Sequence, residues 1–428
     1  MDGKDPAPGE SALRLAARIA SLPDTLRHAL QVLQDRDDVP TLTAADGPVW
    51  VTGGGMSEGP ARYLVALLTE RRIAAEYVPL SEFVATDLDP TAPVGDAVQP
   101  TIARPGTLVL FSQGLAPNAR FPLLHLRHFR RCIVVTAVSP RLAEEAKKDT
   151  PSLPSQPTAA MPTAAILHAA QARGAQVLTL PPFDEDGLLL RVVGPAVHAL
   201  AAAWLVGIDR ALLAQVPTIY EAACDAALRL PLAVEESLRR GPDLPPVALI
   251  ASGRYANACF GLRWKLLEGL QLADPPIWDL LQVAHGPLQS IWRRPHTLLV
   301  LARASQKSIA SQTSVDHEGP LQAALAQVFG PPLHRIVTLP AKLPGLLAYF
   351  DHDAQLNLRV LDALCGQDNN RRTASLGSSI IDLVDWPGKG HDGPLYGLAP
   401  TAVDLRKADL AGPHSTDADG HFPSENQK

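Results

Sequence analysis

The same order of elements is predicted twice along the 428-residue chain: an apolar strand, a glycine turn, a helix and a second strand. In the first half, the apolar run Val49–Val51 precedes a glycine-rich turn and a helix that opens at Pro60. In the second half, the strand Val247–Ser252 precedes Gly253 and a helix predicted over Asn257–Gly269. This order is typical of parallel α/β sheets. The sequence therefore predicts two α/β units that arose by internal duplication.

Proline clusters and shifts in composition divide the chain around these units, because proline ends helices and rarely enters central strands. Near the N-terminus, apolar residues at helical spacing over Leu13–Leu33 predict one kinked helix or two short ones, interrupted at Pro23. The predicted division is an N-terminal helical segment at 1–45, a first domain at 46–210, a helical connector at 211–240, a second domain at 241–385 and a flexible, poorly ordered tail at 386–428.

Composition excludes several classes of protein. Apolar residues make up 46% of the chain and charged residues 19%, which excludes a wholly disordered protein. The net charge of −6, with no basic block, argues against nucleic acid as a partner. The four cysteines form no CxxC pair, and no apolar run reaches the roughly 18 residues of a membrane span. With a polar N-terminus unlike a signal peptide, these features predict a cytoplasmic protein that contacts no membrane.

The turn Gly53-Gly54-Gly55-Met56-Ser57-Glu58-Gly59-Pro60 is the sharpest local motif. Glycines let backbone amides approach a ligand, and a helix N-terminus stabilises an anion. A dinucleotide fingerprint fails because Glu58 stands at the third glycine position. The sequence pattern of a nucleophile elbow centred on Ser57 is matched. In that hydrolase architecture, however, several strands precede the elbow, and here only about 50 mostly helical residues do. The favoured interpretation is a phosphate or sugar loop with Ser57 at the mouth of the helix; a tight turn without a ligand is the structural alternative.

Motifs in both halves resemble the double sugar isomerase (SIS) proteins. The first half has Gly53-x-Gly55-x-Ser57-x-x-x-Ala61, Ser81-Glu82-Phe83 and, after a predicted strand, Ser112-Gln113. The second half has Gly253-Arg254, Lys265-Leu266-Leu267-Glu268 and His285-Gly286-Pro287-Leu288. Over roughly residues 15–385 the chain is similar to the isomerase half of glucosamine-6-phosphate synthase and to aldose-ketose isomerases, aminosugar deaminases and Amadori deglycases.

The resemblance implies a fold and a set of site residues. The fold is α/β, with two flavodoxin-like (SIS) parallel-sheet domains in tandem, related by a pseudo-twofold axis and preceded by a helix. Glu268 is implied as the base that moves a proton beside a carbonyl, His285 as the acid/base that opens the sugar ring, and Lys265 as their support. The residues implied or suggested to bind substrate are Gly53, Gly55, Ser57, Ser112, Gln113, Asn118 and Arg120.

The resemblance also implies partners. The ligand is a small-molecule carbohydrate derivative, and the protein is a homodimer with a shared active site, because the histidine of relatives reaches the neighbouring subunit. No metal or organic cofactor is expected.

Two departures from the family pattern bear on function. Where the first family domain has Ser-Gln-Ser-Gly-x-Thr, this chain has Ser112-Gln113-Gly114-Leu115-Ala116-Pro117, so two hydroxyl donors are absent. Such charge-assisted bonds contribute about 1.5–3 kcal/mol each. Asn118 and Arg120 are candidate replacements, since a guanidinium binds phosphate or carboxylate through two bonds. In addition, Gly366–Ile381 lacks the lysine that synthase members use for a Schiff base.

These observations favour an enzyme that isomerises, deaminates or deglycates an amino-sugar, a sugar phosphate or an N-glycosylated metabolite. The alternative of a different class is a non-catalytic protein that senses a sugar phosphate or binds a partner. A hydrolase with Ser57 as its nucleophile is the second alternative.

Overall fold

A computed structural model describes residues 10–83, 106–138, 163–183, 185, 188–227, 246–270, 272, 275–304, 323, 327 and 335–368. The predicted tail at 386–428 and most of the segment Gly366–Ile381 lie outside these residues. No helix in the described ranges is both long and apolar enough to cross a membrane.

The described part of the chain forms two α/β units after a long N-terminal helix. The helix and first unit contain α1 (Glu10–Gln34), β1 (Val49–Gly53), α2 (Glu58–Glu70), β2 (Ala75–Tyr77), β3 (Thr107–Phe111), α3 (Phe121–Leu124), β4 (Arg131–Thr136), α4 (Thr163–Ala172), β5 (Gln176–Thr179) and α5 (Val193–Leu205). Two connecting helices follow, α6 (Arg210–Leu213) and α7 (Val216–Ala227). The second unit contains β6 (Val247–Ala251), α8 (Arg254–Ala258), α9 (Arg263–Leu270), β7 (Ile277–Asp279), α10 (Gly286–Arg293), β8 (Thr297–Ala304), β9 (Arg335–Pro344) and α11 (Ala348–Asp368).

Both sheets are parallel and repeat the same strand order. The first has the order β2-β1-β3-β4-β5, and the second has the order β7-β6-β8-β9. In each unit the first strand lies between the second and third, and Val49 pairs with Thr107 as Val247 pairs with Thr297. The five-stranded order is that of flavodoxin-like folds, which bind ligands at the carboxyl ends of the strands. The predicted fold of two tandem flavodoxin-like domains is therefore confirmed.

Side-chain alternation along the strands builds the core. On β1, Val49 and Val51 belong to one large apolar cluster, to which the second sheet contributes Val247 and Leu249. The opposite faces of the two sheets form separate smaller clusters, because neighbouring residues on a strand point to opposite sides. Both faces of each sheet are buried, as expected of parallel sheets. The two units thus share one continuous core.

The N-terminal helix is continuous, with Pro23 inside it. This settles the choice between one helix and two. Helix α1 packs against α5, α7 and α11, so it contacts both units. The prolines of β9 are tolerated because this strand is the edge of its sheet, where a missing N–H costs no ladder bond.

The helix predicted over Asn257–Gly269 is wrong as a single element. It is broken into α8 and α9 by a 3-10 turn at Phe260–Leu262. Gly261, in that turn, lies against Gly59 of α2; a Cβ added to Gly59 would stand 3.0 Å from the Gly261 Cα. The backbones of the two units meet here, and a close contact between distant segments cannot be predicted from helix propensity.

Candidate functional site

The glycine loop lies between the end of β1 and the start of α2. At Gly53, an added Cβ would lie 2.6 Å from the Ser57 carbonyl oxygen and 3.1 Å from that of Phe111, so the loop folds back on itself and on β3. Gly55 has φ +56°, and an added Cβ would meet nothing within 4 Å. The tight turn thus has open space beside Gly55.

The segment after β3 forms the second wall of this cradle, which we define as Gly53–Ser57 together with Ser112–Arg120. Ser112 is buried, and its backbone N–H donates to the Val135 carbonyl at 3.0 Å. The Asn118 amide nitrogen lies 3.6 Å from the position of a Cβ on Gly54. The two predicted binding segments are therefore brought together.

Arg120 is buried in the second wall with a backbone contact. Its Nε donates to the Leu115 carbonyl at 3.2 Å, and Leu115 has a left-handed backbone with φ +49°. Burial lowers the pKa of the Arg120 guanidinium. No carboxylate pairs with Arg120 among the described residues. A guanidinium has five donors, so Arg120 retains N–H groups for an anion.

The N-terminus of α5 holds a carboxylate from the same chain. The Glu185 carboxylate accepts from the backbone N–H groups of Val192, Val193 and Gly194 at 2.6, 2.7 and 3.1 Å. These are donors that have no partner inside a helix, and the helix dipole favours the negative charge. The Gln113 side chain also reaches the N-terminus of α5. A Cβ added to Gly194 would lie 2.5 Å from the Gln113 Oε1 and 2.9 Å from the Glu185 Oε2.

Glu268 approaches this point from the second unit. Its helix packs on the loop before α5, since a Cβ on Gly269 would lie 3.1 Å from Leu190 Cδ2. Burial raises the pKa of Glu268 to about 7. The positive charges of Arg191 and Lys265 lower this pKa, and the negative charge of Glu185 raises it. The Glu268 Oε2 is buried without a hydrogen-bond partner among the described residues. Glu268 is thus a carboxyl group that can both hold and release a proton near neutral pH.

Lys265 is placed differently from the prediction based on helical spacing. Its Nζ lies 2.6 Å from the Asn357 Oδ1 and 3.0 Å from the Asp353 Oδ1, and only 1% of the residue is exposed. Asp353 also accepts from Tyr220 at 2.9 Å. A buried ammonium needs an opposite charge and hydrogen-bond acceptors. The Lys265 charge affects Glu268 electrostatically, without a hydrogen bond between the two side chains in the described part of the chain. A direct role of Lys265 in catalysis stays a prediction.

His285 is exposed at the start of α10. Its backbone N–H donates to Gln282 at 3.0 Å, and in the described part of the chain no hydrogen bond joins its imidazole to Glu268. The imidazole is thus not brought to the cradle by the described contacts of this chain. Its predicted role in a neighbouring subunit stays a prediction.

Two residues near Glu268 belong to no motif that the sequence reveals. They are Glu185 and Arg191, whose Nη1 donates to the Glu185 backbone carbonyl. The only sequence signal for Glu185 was an acidic residue ahead of a helix start, and the eight residues between Glu185 and Gly194 exceed the usual capping distance. For Arg191 there was no signal, because its position depends on contact between the two units.

The hydrolase alternative lacks a catalytic arrangement. Ser57 ends the 3-10 turn Gly55–Ser57, and no hydrogen bond of its hydroxyl to a histidine or carboxylate is found among the described residues. A nucleophilic serine requires an adjacent base. The described geometry therefore does not support Ser57 as a nucleophile.

Solved structures share this architecture. Neither a protein-family model nor a curated protein matches the sequence. The C-terminal domain of glucosamine-fructose-6-phosphate aminotransferase from Francisella tularensis is similar at a TM-score of 0.55, with 10% identity over 86% of this chain and 98% of that domain. The tagatose-6-phosphate ketose/aldose isomerase from Escherichia coli is similar at a TM-score of 0.53, with 14% identity over 90% of this chain and 100% of that chain.

A third structure extends the range of activities found on this frame. Glucosamine-6-phosphate deaminase from Thermotoga maritima has a TM-score of 0.51 and 14% identity, over 83% of this chain and 95% of its own. Matches at such identity establish the fold and leave the activity to the site residues. The chain has the tandem sugar isomerase (SIS) fold.

Proposed function

We propose that the protein is an enzyme of the sugar isomerase type, which moves a proton next to the carbonyl of a carbohydrate derivative. The observation that carries the proposal is the placement of Glu268. This carboxyl comes from the second unit and has a pKa raised by burial to about 7. Its helix packs on the loop before α5, and Gln113 of the cradle contacts the first turn of α5. A base whose pKa is near the working pH is the most effective proton carrier.

The cradle would hold the anionic or polyol end of the substrate. The hydroxyl groups of Ser57 and Ser112 and the Asn118 amide supply neutral donors, and Arg120 supplies a charge. A charge-assisted guanidinium contact compensates for the two family hydroxyls that this chain lacks. Arg191, beside Glu268, would stabilise the negative charge that develops on the substrate oxygen when the proton leaves.

Proton exchange with solvent tests the reaction. We would incubate the protein in ²H₂O with tagatose 6-phosphate, fructose 6-phosphate or glucosamine 6-phosphate and follow deuterium at the carbons next to the carbonyl by NMR. We expect incorporation with the wild type and a loss of at least about 100-fold with Glu268→Gln, as for removal of a general base. Glu70→Gln, which changes an exposed acid on α2, is the matched control. Equal exchange in Glu268→Gln and wild type would reject Glu268 as the base.

One observation favours the non-catalytic alternative, in which the protein binds a sugar phosphate without turnover. Of the three residues predicted to be catalytic, only Glu268 lies on a helix that packs against the loop before α5, whose first turn Gln113 of the cradle contacts, while Lys265 pairs with Asp353 and His285 is exposed. The same experiment separates the two functions. Saturable binding of a sugar phosphate with no exchange in the wild type would establish the binding protein.

A further inference from the structure

Both ends of the glycine loop in the cradle are fastened to two side chains that contact each other. At the start of the loop, the Tyr77 hydroxyl donates to the Gly53 carbonyl at 2.9 Å. At its end, Glu58 directly follows Ser57, and the Glu58 Oε1 accepts from the Arg62 Nε at 2.7 Å. The Arg62 guanidinium lies 4.1 Å from the centroid of the Tyr77 ring. The two ends of the loop are therefore joined through Tyr77 and Arg62.

The chemistry of these contacts suits them to hold the loop in one position. Burial raises the pKa of Tyr77 to about 12, so at neutral pH its hydroxyl keeps the proton that it donates. Arg62 and Glu58 lie one turn apart on α2, and the Glu58 side chain is only 13% exposed. A guanidinium over an aromatic ring is attracted by the negative face of the ring. Movement of the loop would have to break these contacts.

The same arginine reaches the second unit. Its guanidinium also lies 4.1 Å from the centroid of the Phe260 ring. Phe260 begins the 3-10 turn before α9, the helix that carries Glu268. In that turn, a Cβ added to Gly261 would overlap the Gly59 Cα of α2, so the two backbones already touch here. A short series of contacts thus leads from the glycine loop to the helix of the proposed base. We call Tyr77, Arg62 and Phe260 the clamp.

We propose that the three clamp side chains are positioning residues, which fix the distance between a substrate held in the cradle and the Glu268 carboxyl. This inference rests on the proposed function, because it concerns the same site. The effect of the clamp passes through the glycine loop on one side and through the turn before α9 on the other. A displacement of about 1 Å at the reacting groups can cost about 100-fold in rate, so contacts outside the site are sufficient to control the reaction.

Amide hydrogen exchange tests whether the clamp holds the loop, and this measurement needs no substrate. The Ser57 and Glu58 N–H groups both donate to carbonyls of the loop, Ser57 at 3.1 Å. Tyr77→Phe keeps the ring and loses the bond to Gly53. These two amides should then exchange about two- to tenfold faster than in the wild type, the effect of losing one neutral hydrogen bond. Tyr63→Phe is the matched control, because the buried Tyr63 hydroxyl has no hydrogen-bond partner among the described residues.

The kinetics of deuterium exchange test the positioning role, with the sugar phosphate that reacts fastest in the wild type. Tyr77→Phe should raise KM with little change in kcat, since it loosens the loop that holds the substrate. Phe260→Leu should lower kcat at least about tenfold with little change in KM, because it loosens α9 and leaves the cradle intact. Phe260→Tyr restores an aromatic face and should behave like the wild type. A purely structural role would reduce stability in urea without separating KM from kcat.

Arg62→Lys isolates the clamp from a second contact of Phe260. The Arg263 guanidinium also lies over the Phe260 ring, 3.9 Å from its centroid, so Phe260→Leu changes two contacts. Arg62→Lys leaves a positive charge beside Glu58 and removes the flat group that stacks on two rings. It should therefore lower kcat to a similar extent.

Two results would overturn the inference. Unchanged amide exchange in Tyr77→Phe would show that the hydroxyl does not hold the loop. A wild-type kcat in both Phe260→Leu and Arg62→Lys would show that the contact with the second unit does not position Glu268. Failure of the proposed function is a different result, in which the wild type itself exchanges no deuterium, and the positioning role would then be rejected with it.

Discussion

Gly59 and Gly261 are in backbone contact across the boundary between the two α/β units. A Cβ on Gly59 would lie 3.0 Å from the Gly261 Cα, and a Cβ on Gly261 would overlap the Gly59 Cα. Beside them, the Arg62 guanidinium lies 4.1 Å from the ring centroids of both Tyr77 and Phe260. The contact between the two units at this point is therefore made of backbone and of one arginine held between aromatic rings.

Gly261→Ala should destabilise the protein by about 1–3 kcal/mol or more, since rigid backbone cannot move away from the added methyl as a side chain can. Urea unfolding would measure the loss. Gly114→Ala is the matched control, because an added Cβ there meets nothing within 4 Å. An unchanged midpoint for Gly261→Ala would contradict the close contact.

Lys265→Met should destabilise the protein by about 3–5 kcal/mol, because it leaves Asp353 as an uncompensated buried charge. Adding Asp353→Asn should recover part of that loss. The measurement is the free energy of unfolding in urea, and Lys342→Met, at an exposed lysine, serves as the control. A fully stable Lys265→Met protein would show that the ion pair does not contribute to the fold.

Glu268 should make stability depend on pH. Its pKa is about 7 in the folded chain against an ordinary value of 4.5. The folded state therefore holds the proton more tightly, and this stabilisation is present below pH 4.5 and lost as the pH rises through 7. Glu268→Gln is neutral at every pH. Its free energy of unfolding should therefore rise by about 3 kcal/mol relative to that of the wild type between pH 4.5 and pH 8. Urea unfolding of both proteins across this interval checks it; parallel curves would contradict the raised pKa.

His198 should act in the opposite direction. Burial lowers its pKa from 6.5 to about 4, and its ring lies edge-on to Phe111 with the centroids 6.0 Å apart. The folded state disfavours the charged imidazole, so its contribution to stability is present above pH 6.5 and is lost as the pH falls through 4. Between pH 7 and pH 5 the free energy of unfolding of His198→Leu should therefore fall by about 2 kcal/mol less than that of the wild type. Thermal unfolding at the two pH values measures the difference, with His28→Leu, an exposed histidine of α1, as control.

On the proposed function, Arg120→Gln should weaken binding of a sugar phosphate, with tagatose 6-phosphate as the probe, at least about tenfold, because it removes the charged donor of the cradle. Arg130→Gln is the matched control, because Arg130 is exposed and its Nη2 donates to the Gly47 carbonyl at 2.8 Å, outside the cradle. Isothermal titration gives both dissociation constants. Equal affinities would assign the anion to other donors.

Local patterns predicted the two sheets well. The strands around Val49, Thr107 and Val247 were predictable because a buried parallel strand is a short apolar run bounded by turn residues. The cradle was also accessible, since Gly53–Ser57 and Ser112–Asn118 each follow a strand of one sheet, and such segments meet at its carboxyl edge.

Contacts between positions far apart in the sequence were beyond such patterns. The pairing of Lys265 with Asp353 and Asn357 joins positions 88 and 92 residues apart, and helical spacing favoured Glu268 as its partner instead. Arg191 and Glu185 were missed for the same reason. Which charged side chains share a buried region depends on how elements distant in the sequence pack, and no short sequence window contains that information.

The core shared by the two sheets has a consequence for dissection of this protein. Val49 and Val51 from one sheet and Val247 and Leu249 from the other are covered by the same set of side chains, and α1 seals both. Each half therefore exposes part of this cluster when the other is removed. Severing the chain within the connector should therefore expose this shared apolar surface in both fragments, and we expect native structure to return only when the two fragments reassociate.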